Sequence, residues 1–169
     1  VKNEQRLLDG AKMNSIMDIV ENLTSSKSHT LFLECLRSAS LVGTFKSRGP
    51  LTLFVPNDSA FVEKFGQARL DSLLKPAHKY ELSNIITYHA VPGRFNAKDI
   101  AKQIKDGKGE ASFVTLSGGK IIARLDSNRN IVLYDETGGQ SVVAQFDVLQ
   151  NNGILHGITN VLIPKEKAL

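Results

Sequence analysis

Apolar residues recur along this chain with two periods, helical up to about Gly107 and strand-like beyond it. Ile16, Ile19, Val20 and Leu23 stand at i, i+3, i+4, i+7, and Asn14 ahead of them can accept hydrogen bonds from the first free N–H groups. The spacing predicts a short amphipathic helix. A second helix is expected to open at Ser28, with Leu31, Phe32, Cys35, Leu36 and Ala39 as its apolar stripe. Gly49-Pro50 marks a turn, 51–55 a short strand, and Pro56 its stop, because proline has no N–H to give a ladder. Asn57 or Asp58 can cap a following helix bearing Ala60, Phe61 and Phe65, and Leu70, Leu73 and Leu74 extend helical spacing to Pro76. A longer helix is predicted over 77–89, with the stripe Leu82, Ile85, Ile86 and His89, so that a histidine closes a core-facing row. After the break at Val91-Pro92-Gly93, Asn96 caps a helix with Ile100, Ala101 and Ile104 inward.

Beyond Gly107 the period becomes two. Segments 111–116 and 120–125 flank Gly118-Gly119, and 131–134 and 141–149 flank Gly138-Gly139, both hairpin signals. In 141–149, alternation places Val142, Ala144, Phe146 and Val148 on one face, Gln145 and Asp147 on the other. Asn151-Asn152-Gly153 turns the chain, and 161–163 is predicted to be a last strand ending at Pro164. Helices followed by mostly antiparallel strands predict an α+β domain over 13–165. Residues 1–12 hold no sustained period and are expected to be a tail or tether; 166–169 are expected to be a C-terminal tail.

Composition narrows the function classes. A chain of 169 residues buries roughly two-thirds of its unfolded surface without needing a metal or disulfide. The net charge is only +4, and the densest basic group, Lys98, Lys102, Lys105 and Lys108, reads as the solvated side of one helix. Aromatics make up 7% with no Trp, so the basic stripe with stacking platforms that nucleic acid requires is missing. The lone Cys35 excludes an internal disulfide and a CxxC metal site, and its place in an apolar stripe predicts an inert core thiol. No apolar run approaches the ~20 residues that span a bilayer. There is no GxSxG, HExxH, GxGxxG or P-loop pattern, and no cofactor or metal is expected.

Three ordered stretches then carry a resemblance. Thr52-Leu53-Phe54-Val55-Pro56-Asn57-Asp58-Ser59-Ala60-Phe61 resembles the first signature of the fasciclin (FAS1) family. Tyr88-His89 with Ala90-Val91-Pro92-Gly93 is similar to its Tyr-His motif, and Asn152-Gly153-Ile154-Leu155-His156 through Pro164 to its closing signature. Two positions depart from the pattern: His29-Thr30 replaces a Phe-containing stretch, and Gly157 stands where a β-branched residue is usual. The resemblance implies a twisted β-sandwich or wedge with helices packed around it. It also implies an extracellular, periplasmic or cell-surface adhesion or protein-binding module, with its export signal outside these residues. The implied partner is a protein, a matrix or surface component, or a glycan; weak self-association is allowed. A carrier of a small ligand or glycan is the alternative.

Most motif residues read as framework. Thr52, Phe54 and Pro56 belong to a buried strand, Asn57 or Asp58 to a helix cap, Phe61 to the core, and Asn152, Gly153 and His156 to the closing turn and strand. A buried imidazole needs partners for its nitrogens, and His89 is predicted to bond Asp58 or Asn57. His156 is expected to make a framework hydrogen bond, with a pH-sensitive role open to it. The resemblance implies partner contacts at Tyr88-His89 and at the Asp147-Val148 pair; alternation turns Val148 inward and leaves Asp147 facing out. Asn22-Leu23-Thr24 and Asn57-Asp58-Ser59 match the glycosylation tripeptide.

Overall fold

The computed structural model describes residues 3–47 and 49–166. It opens with a two-stranded hairpin, β1 (Gln5–Leu8) and β2 (Ala11–Asn14), followed by helices α1 (Ile19–Thr24), α2 (Thr30–Ser38) and α3 (Val42–Ser47). Strand β3 (Leu51–Pro56) leads into α4 (Asp58–Leu73), which breaks at Gly66 where φ is 75°. A 3-10 turn (Pro76–His78), α5 (Lys79–Thr87), β4 (Ala90–Pro92) and α6 (Ala97–Asp106) come next. The remainder is β5 (Ala111–Val114), β6 (Lys120–Leu125), β7 (Ile131–Tyr134), β8 (Gln140–Gln150) and β9 (Gly153–Ile158).

Seven strands form one sheet in the order β4-β3-β9-β8-β7-β6-β5, parallel between β3 and β9 and antiparallel elsewhere. Beyond the end of β5, the Leu116 N–H donates to the Ala90 carbonyl at 2.8 Å, so the two outer strands meet and the sheet closes on itself as a wedge. Helices α1, α2, α4 and α5 bury Ile19, Leu23, Phe32, Leu36, Phe61 and Ile86 with Leu53, Val55 and Leu155 of the sheet. A second core lies under α6, where Ile100 and Ile104 meet Phe113, Ile121, Ala123 and Leu133. The α+β class is as the pattern predicts.

Several boundaries differ, each for a local reason. The tail expected over 1–12 is largely the hairpin, with residues 1–2 outside the described chain. Asp9 and Gly10 have φ of 50° and 81°, the positive pair that a tight primed turn needs and that Asp-Gly favours, and Leu8 and Met13 are buried. The cap of α1 is Asp18, in a capping box with Glu21; Asn14 instead ends β2 and its N–H donates to Asn22 Oδ1. Ile16 therefore falls before the helix and is exposed. Helix α2 begins at Thr30, and α3, with Phe45 its buried residue, is too short to show a period. The helix expected over 77–89 is divided into the 3-10 turn and α5, leaving Tyr88 and His89 just beyond its end.

Segment 161–163 joins no ladder: the Leu162 N–H donates to His89 Nε2 and the Ile163 N–H to Asp135 Oδ2, side chains taking the place of a neighbouring strand. In β8, Val143 and Val148 are the buried valines, whereas Ala144 and Phe146 are exposed. The pairing with β9 shifts between Val143 and Gln145 and again before Val148. Each inserted residue turns the side chains to the opposite face. Of the C-terminal tail expected over 166–169, Glu166 is irregular and the rest lies outside the described chain.

Candidate functional site

Strand β3 is buried along its whole length, so its side chains serve the interior. The Thr52 hydroxyl donates to the Gly93 carbonyl and accepts from the Phe95 N–H, fixing the turn after β4. Asn57 caps α4 through the Ala60 N–H at 3.0 Å. Asp58 accepts from the Leu31 N–H and the Thr30 hydroxyl, tying the start of α4 to the start of α2. Phe61 meets Phe32 with ring centroids 6.2 Å apart, and Phe54 stacks on the His156 ring at 5.7 Å.

His89 is fully buried, and its partners are not Asp58 or Asn57. Nδ1 donates to the Ile85 carbonyl at 2.7 Å, which makes Nε2 an acceptor for the Leu162 N–H at 3.0 Å. One neutral tautomer satisfies both bonds. Burial pushes the imidazole pKa down to about 4 because a charged ring would lose its hydration there. Asp58 and Asn57 are taken instead by N–H groups at helix starts, Asp58 by that of Leu31 and Asn57 by that of Ala60. His89 thus braces α5 against the C-terminal segment rather than joining the first two motifs.

His156 repeats the pattern on β9. It is fully buried, Nε2 donates to the Phe95 carbonyl at 2.7 Å, and Nδ1 accepts from the Asp147 N–H at 3.2 Å. Burial again lowers its pKa. Asn152 beside it accepts from the Ile19 N–H and donates to the Phe45 carbonyl, fastening the closing turn to α1 and α3. At Gly153 a Cβ would stand 2.1 Å from the Leu51 carbonyl oxygen, so no side chain fits between β9 and β3.

The four residues expected to meet a partner separate sharply. Tyr88 is fully buried and its hydroxyl donates to the Lys120 carbonyl; burial raises its pKa. His89 has no exposed surface and Val148 is 1% exposed. Asp147 alone is half-buried. It sits at the second shift in β8 with φ 63°, and its Oδ1 accepts from the Ala97 N–H at 2.7 Å, at the first turn of α6. Its carbonyl accepts from Arg6 Nη1 of the hairpin at 3.0 Å. Alternation had Val148 facing in and Asp147 facing out; the shift gives Asp147 both a structural bond and a share of the surface.

No His-based nucleophile arises from these motifs, since both nitrogens of His89 and of His156 are bonded to backbone. Cys35 is 1% exposed and burial pushes its thiol up to about 12. Among the described residues, no group of three His, Cys, Asp or Glu could hold a metal, and no helix is long and apolar enough to cross a membrane. Asn22 of the first tripeptide is 2% exposed and bonded to Asn14 and Gln150, and Asn57 of the second is the α4 cap. On α6, Lys98, Lys102 and Lys105 face solvent, with Lys102 paired to Asp106. A hollow of about 240 Å³ lies between hairpin and sheet, lined by Glu4, Gln5, Arg6, Met13, Asp147 and Leu149. Another of about 260 Å³ is lined by Glu63, Lys64 and residues 139–140 and 160–161.

Two polar centres escaped the sequence reading. Asp135 accepts from the Thr137 and Gly139 N–H groups and from Ile163, a role signalled by its place before Gly138-Gly139. His29, fully buried, joins Ser26 Oγ through Nδ1 at 2.7 Å and Asp9 Oδ2 through Nε2 at 2.9 Å. Asp9-Gly10 was the available signal for the hairpin that brings this carboxylate in.

A sequence model of the fasciclin domain matches residues 27–164. Protein sll1483 of Synechocystis sp. is 28% identical over 155 residues, covering 91% of this chain and 77% of its own. Protein sll1735 of the same organism is 30% identical over 146 residues, covering 86% of this chain and 97% of its own. The solved FAS1 domain pair from the insect cell adhesion molecule Fasciclin I aligns with a TM-score of 0.73 at 18% identity, over 87% of this chain. The chain spans about half of that pair, 51% of its length, and shares its fold. With three ordered motifs, the wedge-shaped sheet and the match over residues 27–164, this chain belongs to the fasciclin-domain family.

Proposed function

We propose that this domain is a non-catalytic adhesion or protein-binding module acting outside the cytoplasm, in the extracellular space, the periplasm or at the cell surface. The reading rests on family membership together with one observation: the motif histidines are spent on backbone groups of the fold. That leaves the motifs as framework and the exposed rim as the surface that meets a partner. A protein, a matrix or surface component, or a glycan is the partner class. The solved relative of like fold comes from an insect cell adhesion molecule, which supports the same reading.

Asp147 is the contact proposed from the sequence that retains surface. Neither of the two hollows described above, about 240 and 260 Å³, reaches the roughly 300–1,000 Å³ of small-ligand sites. Beads coated with the domain test the adhesive reading. They are expected to be retained on cells of the source organism, or on one another, above albumin-coated beads, with soluble domain competing. Equal retention of both bead types overturns the proposal.

A further inference from the structure

Residues 3–14 precede the stretch matched by the fasciclin-domain model, which begins at residue 27, yet they are built into the body. Leu8 is fully buried in the helical core together with Met13. Asp9 bonds His29 through its carboxylate, accepts from the Ser28 hydroxyl at its carbonyl, and donates its N–H to Gln145 Oε1 at 2.7 Å. Arg6 donates to the Asp147 carbonyl. Over β9, a Cβ on Gly157 would come within 2.8 Å of Leu8 Cδ1, so the missing side chain is the space that Leu8 fills.

His29 stands at the N-terminal cap of α2 and Gly157 within β9. Both lie against this hairpin. One supplies a buried imidazole for the Asp9 carboxylate, the other a bare patch of strand for the Leu8 side chain. A tail that rested on the surface by chance would need neither.

We infer that residues 3–14 are a strap of this domain, latched by Asp9 to His29 and by Leu8 to Gly157, whose seating holds the β8 shift and Asp147 in place. The link to Asp147 is the Arg6 bond to its carbonyl, opposite the His156 bond to its N–H. The strap's two strands pair only with each other, and its other bonds to the body include side-chain bonds between Asn14 and Asn22 and from Asn57 to Asp9. It is therefore a unit that opens locally while the seven-stranded sheet stays intact. This inference concerns a conformational device and stands whether or not the domain is adhesive.

Amide hydrogen exchange on the full chain tests it. In the unaltered protein, amides of residues 6–13 are expected to exchange as a group, slower than in an unstructured peptide and faster than those of β9. Gly157→Val should speed exchange of the group about tenfold by evicting Leu8, and Leu8→Ala should speed it more than about thirtyfold. Combined, the two should give less than the product of their separate effects, because the valine then occupies the space that Leu8 left. Arg6→Ala removes one exposed side chain from outside the core. It should speed the group about fivefold and shift the Asp147 and His156 NMR signals, with β9 exchange unchanged. Unprotected hairpin amides in the unaltered protein overturn the inference. So do strictly multiplicative effects of Leu8→Ala and Gly157→Val, or an Arg6→Ala protein whose Asp147 and His156 signals do not move.

Discussion

Two glycines four residues apart in β9 leave out a side chain for different reasons. Gly153 faces the Leu51 carbonyl of β3, where an added Cβ would stand 2.1 Å from a backbone oxygen. Gly157 faces the tip of Leu8, where the same atom would stand 2.8 Å from a methyl group. A side-chain tip can rotate away; a paired backbone cannot. The first glycine belongs to the joint between β9 and β3, and the second to the seat of the strap. Close packing alone does not say which parts of a domain are fixed. The identity of the opposing atom does.

The largest test of this contrast is Gly153→Ala. The β3–β9 pair is the parallel junction of the sheet, between its second and third strands counted from β4, with Leu51 opposite Gly153. Forcing these strands apart is overpacking with no side chain free to yield, and is expected to cost about 3 kcal/mol or more. Gly157→Ala should cost no more than about 1 kcal/mol, because Leu8 can adjust. Urea unfolding of the two proteins measures the difference; equal midpoints would erase the distinction.

His89→Leu comes next. It leaves the Ile85 carbonyl and the Leu162 N–H without the bonds the ring supplied. An unpaired buried group costs about 1–3 kcal/mol, so a loss of roughly 3 kcal/mol is expected for the pair. The effect should fall on the C-terminal segment, and faster amide exchange at Leu162 than in the unaltered protein is the local readout.

The same ring dictates the acid response. Folded His89 stays neutral down to a pKa of about 4, while in the unfolded chain imidazole titrates near 6.5. Below about pH 6.5 the unfolded state therefore binds a proton that the folded state refuses, and stability falls as pH falls, until the folded ring also titrates. Across that window His89 accounts for about 3 kcal/mol. His156, lowered by burial as well, acts in the same direction. Unfolding free energies measured at pH 7.5 and pH 4.5 should differ accordingly, and equal values would show that these rings are not held neutral.

Legibility in the sequence followed the same division. The framework announced itself through local patterns: the buried run of β3, the capping Asn57, the Asn-Gly turn and both later hairpins stand where spacing put them. His89 was recognised as needing partners, but they are backbone groups, one of them 73 residues away, and backbone carries no residue-type signal. A strict period of two turned Val148 inward, where it lies, but also Ala144 and Phe146, which are exposed because the residues inserted in β8 break the alternation. The hairpin was least legible. Its turn was written as Asp9-Gly10, yet four-residue strands show almost no period, and Leu8 packs over Gly157 far along the chain.

The smallest effect lies where framework and strap meet, at Asp147. Its φ of 63° is left-handed backbone, which alanine adopts at a cost of roughly 1–2 kcal/mol and glycine without penalty. Its carboxylate also receives the Ala97 N–H, a bond comparable to a helix cap and worth about 1 kcal/mol. Asp147→Gly loses the bond and relieves the backbone, so its stability should stay within about 1 kcal/mol of the unaltered protein. Asp147→Ala loses both and should fall roughly 1–2 kcal/mol below the glycine variant. The glycine variant is then the clean probe of adhesion, because the fold is retained while the carboxylate is gone. Reduced bead retention with Asp147→Gly would mark the carboxylate as a contact, whereas full retention would move the binding surface elsewhere on the rim.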